Sequence, residues 1–105
     1  MGSISQQDMK TIWTSEASDN LNEIVTYLDQ EWSIEVSNSF LRKLKKRIEL
    51  LSNFPESFPL IGKEGVRASV LIEQITIFYS FDRENNQIIV LSIFDTRQNP
   101  DNRVP

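Results

Sequence analysis

The sequence predicts an α+β domain, a helical hairpin packed on one face of a mainly antiparallel four-stranded sheet in the order β-α-α-β-β-β. Three observations carry that expectation. Apolar residues recur at a helical period over residues 17–28 and again over 40–51. The period then changes over residues 66–94, where short stretches rich in β-branched and aromatic residues are separated by turn-length gaps. Two helices followed by a run of strands is an α+β pattern rather than an alternating α/β one. A length of 105 residues suits a single domain.

The first strand is expected at MKTIW (9–13). Thr14 and Ser15 then offer N-cap oxygens ahead of Glu16. Ala17, Leu21, Ile24, Val25 and Leu28 fall within one arc of roughly 100° at 3.6 residues per turn, an amphipathic helix. Ser33 is a cap for a second helix near 34–52, with Phe40, Leu41, Leu44, Ile48 and Leu51 on its main apolar stripe. Trp32, between the two helices, is expected to pack the hairpin. Phe54-Pro55 and Phe58-Pro59 end the helix, and Gly62 and Gly65 belong to a loop.

Three strands follow, VRASVL (66–71), ITIFYSF (75–81) and QIIVLSIF (87–94). Their connections are short, so the strands form an antiparallel meander. In the middle strand Ile75, Ile77, Tyr79 and Phe81 share one face, and Thr76, Phe78 and Ser80 the other. Arg67 and Ser69 of the preceding strand are expected on the second, partly uncovered face. The last strand is apolar on both faces, as an interior strand would be.

Composition narrows the chemistry. The chain has neither cysteine nor histidine. That removes disulfides, thiol nucleophiles, thiolate zinc sites and imidazole acid/base catalysis. Asp82 and Glu84 share a turn without further ligands, so no metal and no cofactor are expected. The polar start MGSISQQDMK is unlike a secretory signal, and no apolar run approaches the ~18 residues that span a bilayer. A cytoplasmic location with no membrane partner is expected. Residues 1–8 read as a flexible N-terminus, with Gly2 and Ser3 as candidates for an expression scar, and residues 9–105 as the domain.

The net charge is −4, which argues against a large nucleic-acid footprint. The charges are segregated. Residues 14–35 hold six acids and no base; residues 36–51 hold five bases and one acid. Two helices of opposite sign with solvated outer faces explain this, and so does a basic face for an acidic partner.

The ordered set IWTSEASDNL, YLDQEWS, LLSNFPESFPLIGKEGVR, ITIFYSF and SIFDTRQNP resembles the RelE/ParE superfamily of bacterial toxins from type II toxin–antitoxin, or plasmid-stabilisation, systems. The likeness spans about residues 9–100. It implies the RelE/ParE-like fold, a growth-inhibiting function and a cognate antitoxin as partner. Two mechanisms occur in the superfamily. RelE-type members are ribosome-dependent mRNA endonucleases that use basic residues on the exposed sheet face. Aligned with them, the middle-strand arginine falls on Thr76, the two preceding lysines on Arg67 and Ser69, and the arginine beyond the last strand on Arg97. The aromatic acid/base group has no counterpart. ParE-type members lack that set and act on DNA gyrase, and the deficit here resembles them more. A ribosome-and-mRNA target and a degenerate, non-toxic antitoxin-binding module are the alternatives, so whether the chain is an enzyme stays open, leaning against catalysis.

Arg67 and Arg97 are thus the candidate functional residues. DTRQNP can also be a plain turn, with Asp95 and Asn99 bonding their own backbone and Pro100 ending the strand. For the antitoxin, the candidate surface is the second helix with the strand end: Val36, Lys43, Arg47, Leu50, Asp95 and Arg97. Val36 and Leu50 lie outside the helix's main apolar stripe beside cations, which suits an acidic amphipathic segment. They can instead pack against the first helix, whose acids would then neutralise the lysines.

Overall fold

The computed structural model describes residues 9–97. The expected flexible N-terminus, and Gln98, Asn99 and Pro100 of the strand-end turn, lie outside the described residues. The elements are β1 (Lys10–Trp13), α1 (Ser15–Glu31), α2 (Ile34–Asn53), β2 (Leu60–Ile61), β3 (Val66–Ile72), β4 (Ile75–Asp82) and β5 (Gln87–Asp95). Both helices begin where the caps predict. Thr14 Oγ1 accepts from the Ala17 N–H at 3.0 Å, and Ser33 Oγ from the Val36 N–H at 3.2 Å. Among the described residues no helix is long and apolar enough to cross a membrane.

The sheet has five strands in the order β1-β5-β4-β3-β2, one more than expected. The addition is two residues long: Leu60 pairs with Arg67 and Ile61 with Val66. A stretch that short, between Pro59 and Gly62, has no periodicity to detect. The remaining pairings are antiparallel except β1, which lies parallel to β5; the helical hairpin and then β2, β3 and β4 lie between the two in the chain. β5 is interior, flanked by β1 and β4, as its two apolar faces require.

The helices cover one sheet face. The core joins Ala17, Ile24 and Leu28 of α1 and Phe40, Leu44 and Leu51 of α2 to Ile75, Ile77, Tyr79, Ile88, Val90 and Ile93 of the sheet. At the hairpin, Ser37 is buried and its hydroxyl donates to Asp29 Oδ1 at 2.5 Å. This small residue closes the helix pair. Trp32, expected there, is 65% exposed instead. It occupies the C-cap of α1, outside helical geometry, so its side chain leaves the inward arc.

Two β-bulges decide which residues share a face. Val70 pairs with Thr76 and Ile72 with Ile75, so Leu71 has no partner. Extrapolated from Ile72 and Ile75 without that extra residue, Arg67 would oppose Ser80 and Ser69 would oppose Phe78, the arrangement the sequence suggests. The observed partners are Tyr79 for Arg67 and Ile77 for Ser69. Because side chains alternate with a period of two, one inserted residue moves both to the helix-covered face. Ser69 is fully buried there. A second bulge lies in β5, where Tyr79 pairs with Val90 and Phe78 with Ser92. Leu91 is the extra residue and is half-buried rather than core. Its carbonyl accepts from the Thr14 hydroxyl at 2.8 Å, and the Ile93 N–H donates to Asn20 Oδ1 at 2.9 Å. The start of α1 thus satisfies the backbone of β5 where β1 ends.

Side chains from the sheet pin the loop that follows α2. Tyr79 donates its phenol proton to the Pro55 carbonyl at 2.9 Å. Arg67 donates to the carbonyls of Phe58 (2.6 Å) and Glu56 (3.2 Å), and Arg83 pairs with the Glu56 carboxylate. Burial pushes the Tyr79 phenol above its ordinary value, opposed by the positive charge of Arg67 and a backbone hydrogen bond at Phe58. A phenol whose proton is held more tightly in the folded state adds stability below the unfolded value, ~10, and loses it as pH rises through the folded value. Urea unfolding at rising alkaline pH should therefore show a steeper loss of stability above about pH 10 in the wild type than in Tyr79→Phe. Equal slopes would mean the phenol titrates freely.

Candidate functional site

The outer side of α2 carries Val36, Lys43, Arg47 and Leu50 along one line, at i, i+7, i+11 and i+14. Beside this line run the edge of β3 and the end of β5. Together they form an elongated depression made of two adjoining hollows. The first, about 190 Å³, is lined by Leu28, Val36, Ser39, Phe40, Lys43, Ile72 and Arg97. The second, about 400 Å³, is lined by Lys43, Lys46, Arg47, Leu50 and Leu71. Lys43 belongs to both. Five of the six residues expected at a partner surface therefore line one continuous groove. The sixth, Asp95, lies beneath Arg97.

Each charged group has a distinct place. Asp95 ends β5 on the helix-covered face and is buried. Its Oδ1 accepts from the Arg97 N–H at 2.9 Å and from Arg97 Nε at 3.3 Å. This is a turn that bonds its own backbone, and the same carboxylate holds the guanidinium toward the groove. At Asp95 to Arg97 the chain thus presents a buried acid that orients an arginine beside Val36 and Phe40.

Arg47 is less free than its place on the groove wall suggests. It donates to Ser69 Oγ and to the Val70 carbonyl, both at 2.7 Å, and lies 5.5 Å from the Phe58 ring centroid. It ties α2 to the edge of β3 and covers a carbonyl that would otherwise invite a further strand. Lys43 and Lys46 have no acid within ion-pairing distance among the described residues, so the acids of α1 leave the groove positive. Val36 and Leu50 are each 39% exposed, available as apolar contacts rather than consumed by packing on α1.

Arg67 stands apart from the groove, engaged by the loop carbonyls. Lys46 and Leu71 were not among the expected site residues. Lys46 follows Lys43 by one helical turn, a signal present in the sequence. Leu71 enters the wall only because the bulge displaces it, which no sequence feature marks.

Phosphodiester chemistry would need cations on the uncovered sheet face. That face carries Ala68, Val70, Thr76, Phe78, Ser80, Ile89, Ser92 and Phe94, by the observed pairings. Its only charged residues among those described are Lys10 and Asp82, in the terminal row with Gln87. Asp82 caps the β4–β5 turn. Hydrogen bonds from the Asn85 side chain and backbone hold its carboxyl below the usual range.

A helical hairpin on a sheet of this order, with these strand directions, defines the RelE/ParE-like toxin fold. Solved structures share it. One is a chromosomal ParDE toxin–antitoxin system from P. aeruginosa (TM-score 0.70, 17% identity, covering 83% of this chain and 95% of that one). Another is the RelBE2 toxin–antitoxin complex of Mycobacterium tuberculosis (TM-score 0.57, 13% identity, 83% and 96%). A third is YafQ from E. coli strain BL21(DE3) (TM-score 0.56, 14% identity, 86% and 96%). A comparison with curated protein sequences gives no significant match. Residues 11–100 match the family described as ParE toxin of type II toxin-antitoxin system, parDE. The chain belongs to that family, and so is a type II toxin of the RelE/ParE superfamily.

Proposed function

We propose that this chain is a non-nuclease toxin that inhibits growth by acting on DNA gyrase in the bacterial cytoplasm, and that a cognate antitoxin neutralises it by docking in the α2 groove. One observation carries the choice of target. Of the four positions aligned with the basic residues of the RNA-cutting relatives, none puts a cation on the uncovered sheet face. Thr76 is neutral, Ser69 is buried, Arg67 is engaged by the loop, and Arg97 faces the groove. Cleavage of an RNA backbone needs preorganised charge at the scissile phosphate. Away from the terminal row that holds Lys10 and Asp82, this sheet face offers alkyl, aryl and hydroxyl groups in place of such charge.

The groove supports the antitoxin half of the reading. Apolar residues flanking lysines that have no acid partner among the described residues suit an acidic amphipathic segment, which covers the former and pairs with the latter. The structurally similar ParDE and RelBE2 proteins are components of toxin–antitoxin systems, which supports an antitoxin as the partner here.

The purified chain should block supercoiling by gyrase in vitro. Its induction in cells should cause DNA damage and filamentation without new transcript ends inside reading frames. Normal supercoiling at high toxin concentration would overturn the gyrase target, and in-frame transcript cleavage would replace it with the ribosome.

A further inference from the structure

The interior of the uncovered sheet face carries apolar and hydroxyl side chains and, among the described residues, has no partner within the chain. Val70 is 59% exposed and Ile12 41%, with Phe78, Ile89 and Phe94 half-buried between them. Contiguous apolar surface of this kind marks an interaction site. We propose that this face is the interface of a two-fold homodimer, sheet against sheet. The proposal is independent of the target of the toxin.

Charge selects a second copy as the occupant. The chain carries −4 overall, so two copies repel unless they meet where charge is absent. The interior of the open face is uncharged, and its one charged row is self-complementary. Lys10 pairs with Gln87, and Gln87 with Asp82. The cation and the anion thus lie one strand to either side of β5, roughly 10 Å apart at ~4.8 Å per strand. A two-fold axis parallel to β5 brings Lys10 of each copy over Asp82 of the other. The same axis leaves the strands of both sheets aligned, the usual geometry of a sandwich.

Area agrees. At ~4.8 Å between strands and ~3.3 Å per residue, the face measures roughly 500 Å² in projection. Two copies bury about 1,000 Å², where specific interfaces begin. The dimer should therefore form in the micromolar range rather than tighter.

Sedimentation velocity over a concentration series tests this on the isolated chain. The wild type should approach the dimer mass at high micromolar concentration. Phe78→Lys and Ile89→Lys should stay monomeric with unchanged circular dichroism, and Ile12→Lys, at a more exposed position, guards against a folding defect in either. Lys10→Glu and Asp82→Lys should each weaken self-association, and mixing the two chains should restore it. A wild type that stays monomeric throughout would assign the face to another partner and overturn the proposal. So would lysine variants that keep the dimer mass, or a mixture no more associated than its components.

Discussion

Phe40→Ala is expected to destabilise the isolated chain by about 3–5 kcal/mol, the range for removing a large aromatic from a packed core. Phe40 is 5% exposed and sits where α2 crosses from the core to the groove floor. Its ring is packed against the core on one side and lines a hollow on the other. The neighbours are held by helix and sheet backbone, so the cavity cannot collapse fully, and the cost should stay near the upper part of the range. A domain of this size is stable by about 5–15 kcal/mol, and each kcal/mol moves its melting temperature by roughly 4–8 °C. A fall of about 15 °C or more should be visible by calorimetry. Val36→Ala, on the exposed stripe of the same helix, should shift it by only a few degrees. Equal, small shifts for both would mean that the two faces of α2 are reversed.

Phe40 and Leu44 also show what the sequence made legible. Their spacing alone fixed which side of α2 meets the sheet, because helical periodicity is long enough to average over many residues. The caps at Thr14 and Ser33 set the helix starts for a similar reason: a hydroxyl before an apolar-periodic run has one dominant use. The strands were legible as strands and less so as a register. Leu71 and Leu91 look like ordinary strand residues, and nothing in their chemistry announces that they are the extra residues of bulges. Yet each reverses the alternation on one side of itself. That is why Arg67 and Ser69 were expected on the open face and lie on the covered one, and why Leu91 is half-buried. The error is small in residues and large in function, since it empties the open face of the cation and hydroxyl it was thought to present. Trp32 was misplaced for another reason. Its position between the two helices argues for packing in the hairpin, whereas Ser37 and Asp29 close the hairpin with a hydrogen bond that needs little volume.

The groove was legible to a degree that the sheet face was not. Val36, Lys43, Arg47 and Leu50 are related by helical spacing, which the structure preserves. Asp95 and Arg97 are two residues apart at the strand end, so their contact is local. What sequence could not reveal is that Arg47 is already bonded. The natural first experiment on the basic helix, charge reversal at Lys43 and Arg47 together, would break the ties to Ser69 and Val70 as well as altering the surface. Early melting of that pair would not distinguish a structural role from a binding one.

Lys43→Glu with Lys46→Glu separates the two roles, and it should weaken the complex with the cognate antitoxin by well over tenfold, a loss above about 1.4 kcal/mol. Lys43 lies at the junction of both hollows and Lys46 lines the larger one. Neither is ion-paired among the described residues, so their reversal removes no intrachain contact of that kind. Each substitution replaces an attraction to an acidic segment with a repulsion. Exposed pairs contribute only ~0.2–1 kcal/mol singly. Two reversals at a groove that the bound segment desolvates should exceed that sum, because screening by water falls as the interface closes. Raising ionic strength should narrow the gap between wild type and variant, the signature of a charge effect rather than a shape effect. The variant should melt with the wild type, whereas Arg47→Ala should melt earlier by virtue of its lost bonds to β3. Titration calorimetry and thermal unfolding on the three chains give the comparison directly. If Lys43→Glu with Lys46→Glu binds the antitoxin normally at low salt, the antitoxin docks away from α2, and the groove's apolar stripe serves something else.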